Sequence, residues 1–148
     1  SCMLGKKFAL VVWRDKHAEV LDRLTETYGL KEKLACIVNM EIDSQRLFAG
    51  LDDPSDVVAC FVESAKQAVH AGVEVLIPAG AVLDLVISKS NLKDVDGGVV
   101  LDGTGTLLKI TEAMVDLQKA GLKVSRRSLF SAPSKEEVRQ TFDSYGLV

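Results

Sequence analysis

Six consecutive apolar residues, Phe8-Ala-Leu-Val-Val-Trp13, constrain the fold more than any other stretch of the chain. A strand with one wet face alternates apolar and polar side chains. A run that is apolar at every position suits a strand buried on both faces, as in a parallel sheet. Downstream of it, helices and strands alternate. Asp15 to Tyr28 reads as a helix with Val20, Leu21, Leu24 and Tyr28 on one face and Gly29 as its stop. Leu34 to Ile42 reads as a second strand. A polar stretch around Asp52 and Asp53 opens a helix at Pro54 or Ser55, with Val58, Phe61, Val62, Ala65 and Val69 as its stripe and Gly72 after it. Val73 to Ile77 is a third strand. Val82 to Ile87 is a short buried helix, and Lys89 to Gly98 a polar connection. Val99 to Leu101 is a fourth strand, and Thr104 to Ala120 a helix with Leu107, Ile110, Met114 and Leu117 on one face.

Strands and helices in alternation predict an α/β fold. The expectation is three layers, with a four-stranded parallel sheet and helices on both faces, a flavodoxin-like lobe. Residues 1–148 read as one such lobe. Residues 122–148 form a C-terminal extension, with a last helix started by a capping box of Ser134 and Glu137. At 148 residues the chain can bury about 70% of its unfolded surface, so it needs no metal or disulfide staple.

Charge and cysteine usage narrow the function classes. Eighteen basic against 21 acidic residues leave a formal charge of −3, which lacks the basic field of a non-specific nucleic-acid binder. Ser125-Arg126-Arg127 is too small a cluster to change that. Cys2, Cys36 and Cys60 are odd in number and irregularly spaced, as expected of reduced thiols in a cytoplasmic protein. His17 and His70 fall in helices, and no Cys/His spacing suits a metal. The Phe8–Trp13 run is far shorter than the ~20 residues a bilayer requires, so neither a secretory signal nor a membrane partner is expected.

In an open parallel sheet, ligands bind outside the carboxyl ends of the strands. Four segments fall there: Trp13-Arg14-Asp15, Asn39-Met40-Glu41, Pro78-Ala79-Gly80 and Asp102-Gly103-Thr104. Gly80 permits close backbone approach, and N–H groups at a helix start favour an anion. Ala79 and Gly80 therefore suggest a carboxylate cradle, although the same tripeptide also makes an ordinary strand-to-helix turn. Arg14 can pair with an anion or sit solvated in its loop. Asp102, Gly103 and Thr104 can add polar contacts or simply cap a helix. No G-x-G-x-x-G or P-loop pattern is present.

With these blocks in place, the chain resembles the second half of the aspartate/glutamate/hydantoin racemase superfamily. The similarity lies in Gly5-Lys-Lys-Phe-Ala-Leu-Val-Val12, Tyr28-Gly-Leu30, Ala71-Gly-Val-Glu-Val-Leu-Ile77, Gly98-Val-Val-Leu-Asp-Gly103 and Ala113 to Arg126, in that order. The resemblance implies a two-lobed, cofactor-independent isomerase. One cysteine per lobe handles the Cα proton from opposite faces of the substrate. The family's second cysteine sits in a "G-C-A-G-M"-like turn. Here that turn reads Ile77-Pro78-Ala79-Gly80-Ala81, so Pro78 stands where the thiol would be, and proline cannot carry a proton.

The resemblance therefore implies a lobe that binds a small carboxylate or hydantoin-like ligand through Trp13, Arg14, Pro78, Ala79, Gly80, Asp102, Gly103 and Thr104. Its catalytic group is not identified; Asp102 is a candidate ranked above Asp84. Activity would be that of an amino-acid or hydantoin racemase in a larger assembly. The alternative is a non-catalytic binding or regulatory module that has lost the cysteine. A family member has a first lobe as well, so the resemblance implies a homodimer, a first-lobe partner or a place as one half of a longer two-lobed protein, and an exposed apolar patch from Leu122 onward.

Overall fold

Side chains of strand β1 (Phe8–Val12) point alternately to the two faces of the sheet, and every one of them is buried. The computed structural model describes residues 3–123, 125 and 133–146. After β1 come α1 (Lys16–Thr27), β2 (Leu34–Asn39), α2 (Ser44–Ala49), α3 (Ser55–His70), β3 (Val75–Pro78), α4 (Ala81–Lys89), β4 (Asp94–Val95), β5 (Gly98–Val100), α5 (Gly103–Lys119) and α6 (Lys135–Ser144). Residues 1–109 and 110–148 form two compact units, and α5 runs across their boundary.

The sheet order is β2-β1-β3-β5-β4. Pairings β1–β2, β1–β3 and β3–β5 are parallel, as the sequence implies for an α/β lobe. The sheet has five strands rather than the expected four. The fifth, β4, pairs antiparallel with β5 through Asp94↔Val99 and Val95↔Gly98. It lies inside the stretch read as a polar connection. Asp96 and Gly97 both adopt positive φ, 49° and 88°, the conformation of a tight two-residue hairpin loop. Gly98 is required there, because a Cβ would come within 2.5 Å of the Val69 side chain on α3.

One face of the sheet carries the larger core. Ala9, Val11, Leu76 and Val100 meet Leu47 of α2, Val57, Phe61, Ala65 and Ala68 of α3, and Leu83, Val86 and Ile87 of α4. The buried α3 residues recur at helical spacing, with Val58, Val62 and Val69 flanking them. The opposite face is covered more thinly. Phe8, Leu10 and Val75 are buried there, packed by Leu21 of α1 and by Leu30, Leu34, Ile37, Ile77 and Leu101.

Helix α1 departs from its expected face. Leu21 and Thr25 turn inward, while Val20, Leu24 and Tyr28 stay exposed. The small second core takes only one narrow strip of the helix. Helix α2 is a further element missed in the sequence; its six residues are too few to show a period, and Asp43 caps it by accepting from the Arg46 N–H at 2.8 Å. No residue of α5 or α6 is buried. Leu107, Ile110, Met114, Leu117, Leu122, Val138, Phe142 and Tyr145 are exposed apolar side chains. The Ser134–Glu137 capping box at α6 forms as expected. Most of the connection before it, including Arg126 and Arg127, lies outside the described residues, as does Cys2. Among the described residues no helix is long and apolar enough to cross a membrane.

Candidate functional site

The sheet order reverses direction between β1 and β3. From β1 the chain crosses to β2 on one side; from β3 it crosses to β5 on the other. In parallel sheets of this order a crevice opens where the connections diverge, at the carboxyl ends of those two strands. The register Leu10↔Ile77 and Val11↔Pro78 brings the residues after β1 beside those after β3.

The arrangement results from that register. Pro78 is the last residue of β3 and is buried. Gly80 has φ 140° and ψ 134°, a backbone state that favours glycine, and α4 begins at the next residue. The Trp13 ring stands next to this turn: a Cβ on Gly80 would lie 3.9 Å from the indole Nε1. The Arg14 guanidinium covers the same ring, with its Cζ 4.0 Å from the centroid. The His17 ring also neighbours the indole, 5.2 Å between centroids.

Nearly everything at this corner donates. Helix α4 starts without a side-chain cap, and the N–H groups of Gly80, Ala81 and Val82 have no acceptor among the described residues. Neither the Trp13 indole N–H nor the Arg14 guanidinium has an oxygen partner among the described residues. Helix α1, which leaves the same crevice, also lacks a side-chain cap. Unanswered amides at a helix start carry a positive partial charge, and a nearby guanidinium adds a full one. Such a corner can hold an anion.

One expected donor is engaged elsewhere. The Ala79 N–H bonds to the Val11 carbonyl at 2.8 Å and continues the ladder between β3 and β1. The available amides therefore begin at Gly80 rather than at Ala79.

The corner after β5 is built differently. Gly103 N–H donates to Asp84 Oδ1 at 2.8 Å, and Thr104 N–H donates to Asp84 Oδ2 at 2.7 Å. The Thr104 hydroxyl also donates to Asp84 Oδ2. Asp84 comes from the first turn of α4 and is buried. Asp102 caps α5 as well, with Oδ1 accepting from Gly105 N–H at 2.8 Å. That amide holds the Asp102 carboxyl below the usual carboxylate range, and the Ser88 hydroxyl and the charge of Lys93 add to the lowering. The Ser88 hydroxyl is buried without a hydrogen-bond partner of normal geometry among the described residues, so its effect on Asp102 is one of proximity. Asp102, Gly103 and Thr104 are thus in place at a strand end, with the Gly103 and Thr104 donors directed into the protein. The sequence offered no sign of this, because Asp84 lies 19 and 20 residues from its partners.

The thiols are remote from the crevice turn in the chain. Cys36 is in β2, where partial burial pushes its thiol up. Cys60 is in α3, 3.2 Å from Arg46, whose guanidinium also grips Asp56 through two bonds. The strand-end segment after β2 supplies support rather than donors to the crevice: Asn39 Nδ2 donates to Asp15 Oδ1 at 2.6 Å, and its Oδ1 accepts from Glu41 N–H.

No family model matches the chain, and no curated protein does. Solved structures do. An allantoin racemase from Klebsiella pneumoniae superposes with a TM-score of 0.73 and 19% identity over 97% of this chain and 56% of that one. An allantoin racemase from Pseudomonas fluorescens superposes with a TM-score of 0.66 and 19% identity over 89% of this chain and 53% of that one. The chain thus spans a little over half the length of these structures, and what it shares with them is their α/β fold.

Proposed function

We propose that this chain is a racemase-type lobe that binds a small carboxylate or hydantoin-like ligand in the crevice between β1 and β3. The observation that carries the reading is the cluster of donors unanswered among the described residues: Gly80, Ala81 and Val82 N–H beside the Trp13 indole and the Arg14 guanidinium. The fold shared with allantoin racemases supports the same class of ligand. Asp102, Gly103 and Thr104 would shape the neighbouring wall. Pro78 would contribute shape only, having neither N–H nor side-chain proton to give.

Isomerase chemistry would need a proton-transfer group from outside this turn. Asp102 is the candidate at a strand end. Its lowered pKa keeps it ionised, and one of its oxygens is engaged with Gly105, which makes it a weak base. In our reading the lobe works in a larger assembly without a cofactor, as a homodimer or beside a first lobe in a separate chain or in the same longer protein, in the cytoplasm. The exposed apolar residues of α5 and α6 are the surface such a partner would cover. The second reading, a non-catalytic binding module, is favoured by the absence of a thiol at the Pro78 turn.

Small carboxylates and hydantoin should raise the melting temperature by mass action, about 2.7 kcal/mol of stabilisation at one hundred times Kd. Their addition should shift the backbone amide signals of Gly80 to Val82. A panel that moves none of those amides overturns the reading. Incubation of amino acids and hydantoins in D2O then separates the two versions. Exchange of the Cα proton in the assembled protein supports the isomerase; binding without exchange supports the module.

A further inference from the structure

Asp84 is a buried carboxylate with no cation paired to it among the described residues, and its place needs an explanation. It is 5% exposed, and each of its oxygens accepts from the start of α5. Gly103 N–H, Thr104 N–H and the Thr104 hydroxyl are all answered by this one side chain. Its own backbone N–H donates to the Gly80 carbonyl at 2.9 Å. A single residue therefore links the turn after β3 to the turn after β5. Gly103 is matched to it, since a Cβ there would sit 3.1 Å from Oδ1.

An anion at a helix N-terminus is the arrangement that external phosphates and carboxylates adopt. We propose that Asp84 is a built-in anion that occupies the start of α5 and keeps the β5 corner closed to ligands, leaving the α4 corner as the one that takes an anion from solution. Asp84 is in this sense a positioning residue. It orients Gly103 and Thr104 inward, and it withdraws a second set of amides that would otherwise compete for the same ligand. The selectivity role rests on the proposed crevice site, whereas the occupation of α5 stands on its own hydrogen bonds.

The test uses formate, the carboxylate that Asp84→Ala removes, and reads backbone amide signals of the full chain. In the unaltered protein, formate should leave Gly103 and Thr104 unmoved. In Asp84→Ala it should shift both, and it should raise that variant's melting temperature by more than it raises the parent's. Silent Gly103 and Thr104 amides in Asp84→Ala, or a formate response of these amides in the parent, would overturn the inference. A purely structural Asp84 would lower stability without creating a formate response. If Asp84→Ala does not fold, Asp84→Asn keeps the volume and loses the charge. Its Gly103 and Thr104 amides should then exchange with solvent roughly tenfold faster than in the parent, with β1 and β3 amides unchanged. Equal protection would also overturn the inference. Formate that leaves Gly80 to Val82 unmoved in the parent counts against the crevice site alone and not against the occupation of α5 by Asp84.

Discussion

Two helices leave the carboxyl edge of the same sheet, and their first turns have opposite chemistry. Helix α5 begins with Gly103, Thr104 and Gly105 all answered by the chain, through Asp84 and Asp102. Helix α4 begins with no side-chain cap, after a glycine in a strained backbone region, beside an arginine stacked on a tryptophan. The dipole physics is the same for both. What differs is whether the protein completes the anion site itself. The completed one holds structure together; the incomplete one is where function is expected.

The largest expected effect lies on the completed side. Asp84→Ala leaves three donors without an acceptor and should cost roughly 3 kcal/mol in chemical unfolding. A cost below about 1 kcal/mol would show that water replaces the carboxylate easily, and the contrast between the helices would fade. Next is Gly80→Val. A β-branched side chain at φ 140° should cost about 1–2 kcal/mol. It should also abolish the carboxylate-induced rise in melting temperature, and an unchanged rise would place the ligand elsewhere.

Asp102→Asn separates charge from capping, since asparagine also caps helices. The Asp102 carboxyl is held below its ordinary range in the folded protein. A depressed folded value means the stabilisation is present above the unfolded carboxylate pKa, about 3.9, and is lost as pH falls through the folded value. The parent should therefore lose more stability than Asp102→Asn on acidification below about pH 4. Parallel acid limbs would remove Asp102's charge from the account of α5. The smallest expected effect is the most pointed. Gly80→Asp offers α4 an internal carboxylate of the kind α5 already has. Cap gain and backbone strain, each about 1 kcal/mol, should nearly cancel, and the response to external carboxylate should disappear.

The fold was readable wherever burial imposed a period. β1 was evident from six apolar residues in a row, and α3 from Phe61, Ala65 and their neighbours. The misses were short elements held by tertiary context. Six residues of α2 and two of β4 carry no period, though Asp96-Gly97 was a hairpin signal that could have been read. The face of α1 was misjudged because the second core has room for Leu21 but not for Leu24. At the site, sequence placed the strand-end corners, and the register between β1 and β3 gathered Trp13, Arg14 and Gly80. Which donors remain available was not legible. Ala79 is engaged by Val11, and Thr104 by Asp84, both distant in the chain.

The two margins of the sheet also differ, with a consequence for misassembly. On one side, β4 ends the sheet after two residues, and its tight hairpin leaves little backbone for another strand to match. On the other, β2 runs six residues, and no strand among the described residues pairs beyond it. Unpaired edge backbone is a template for intermolecular strand addition. Aggregation from partly unfolded chains should therefore propagate through β2.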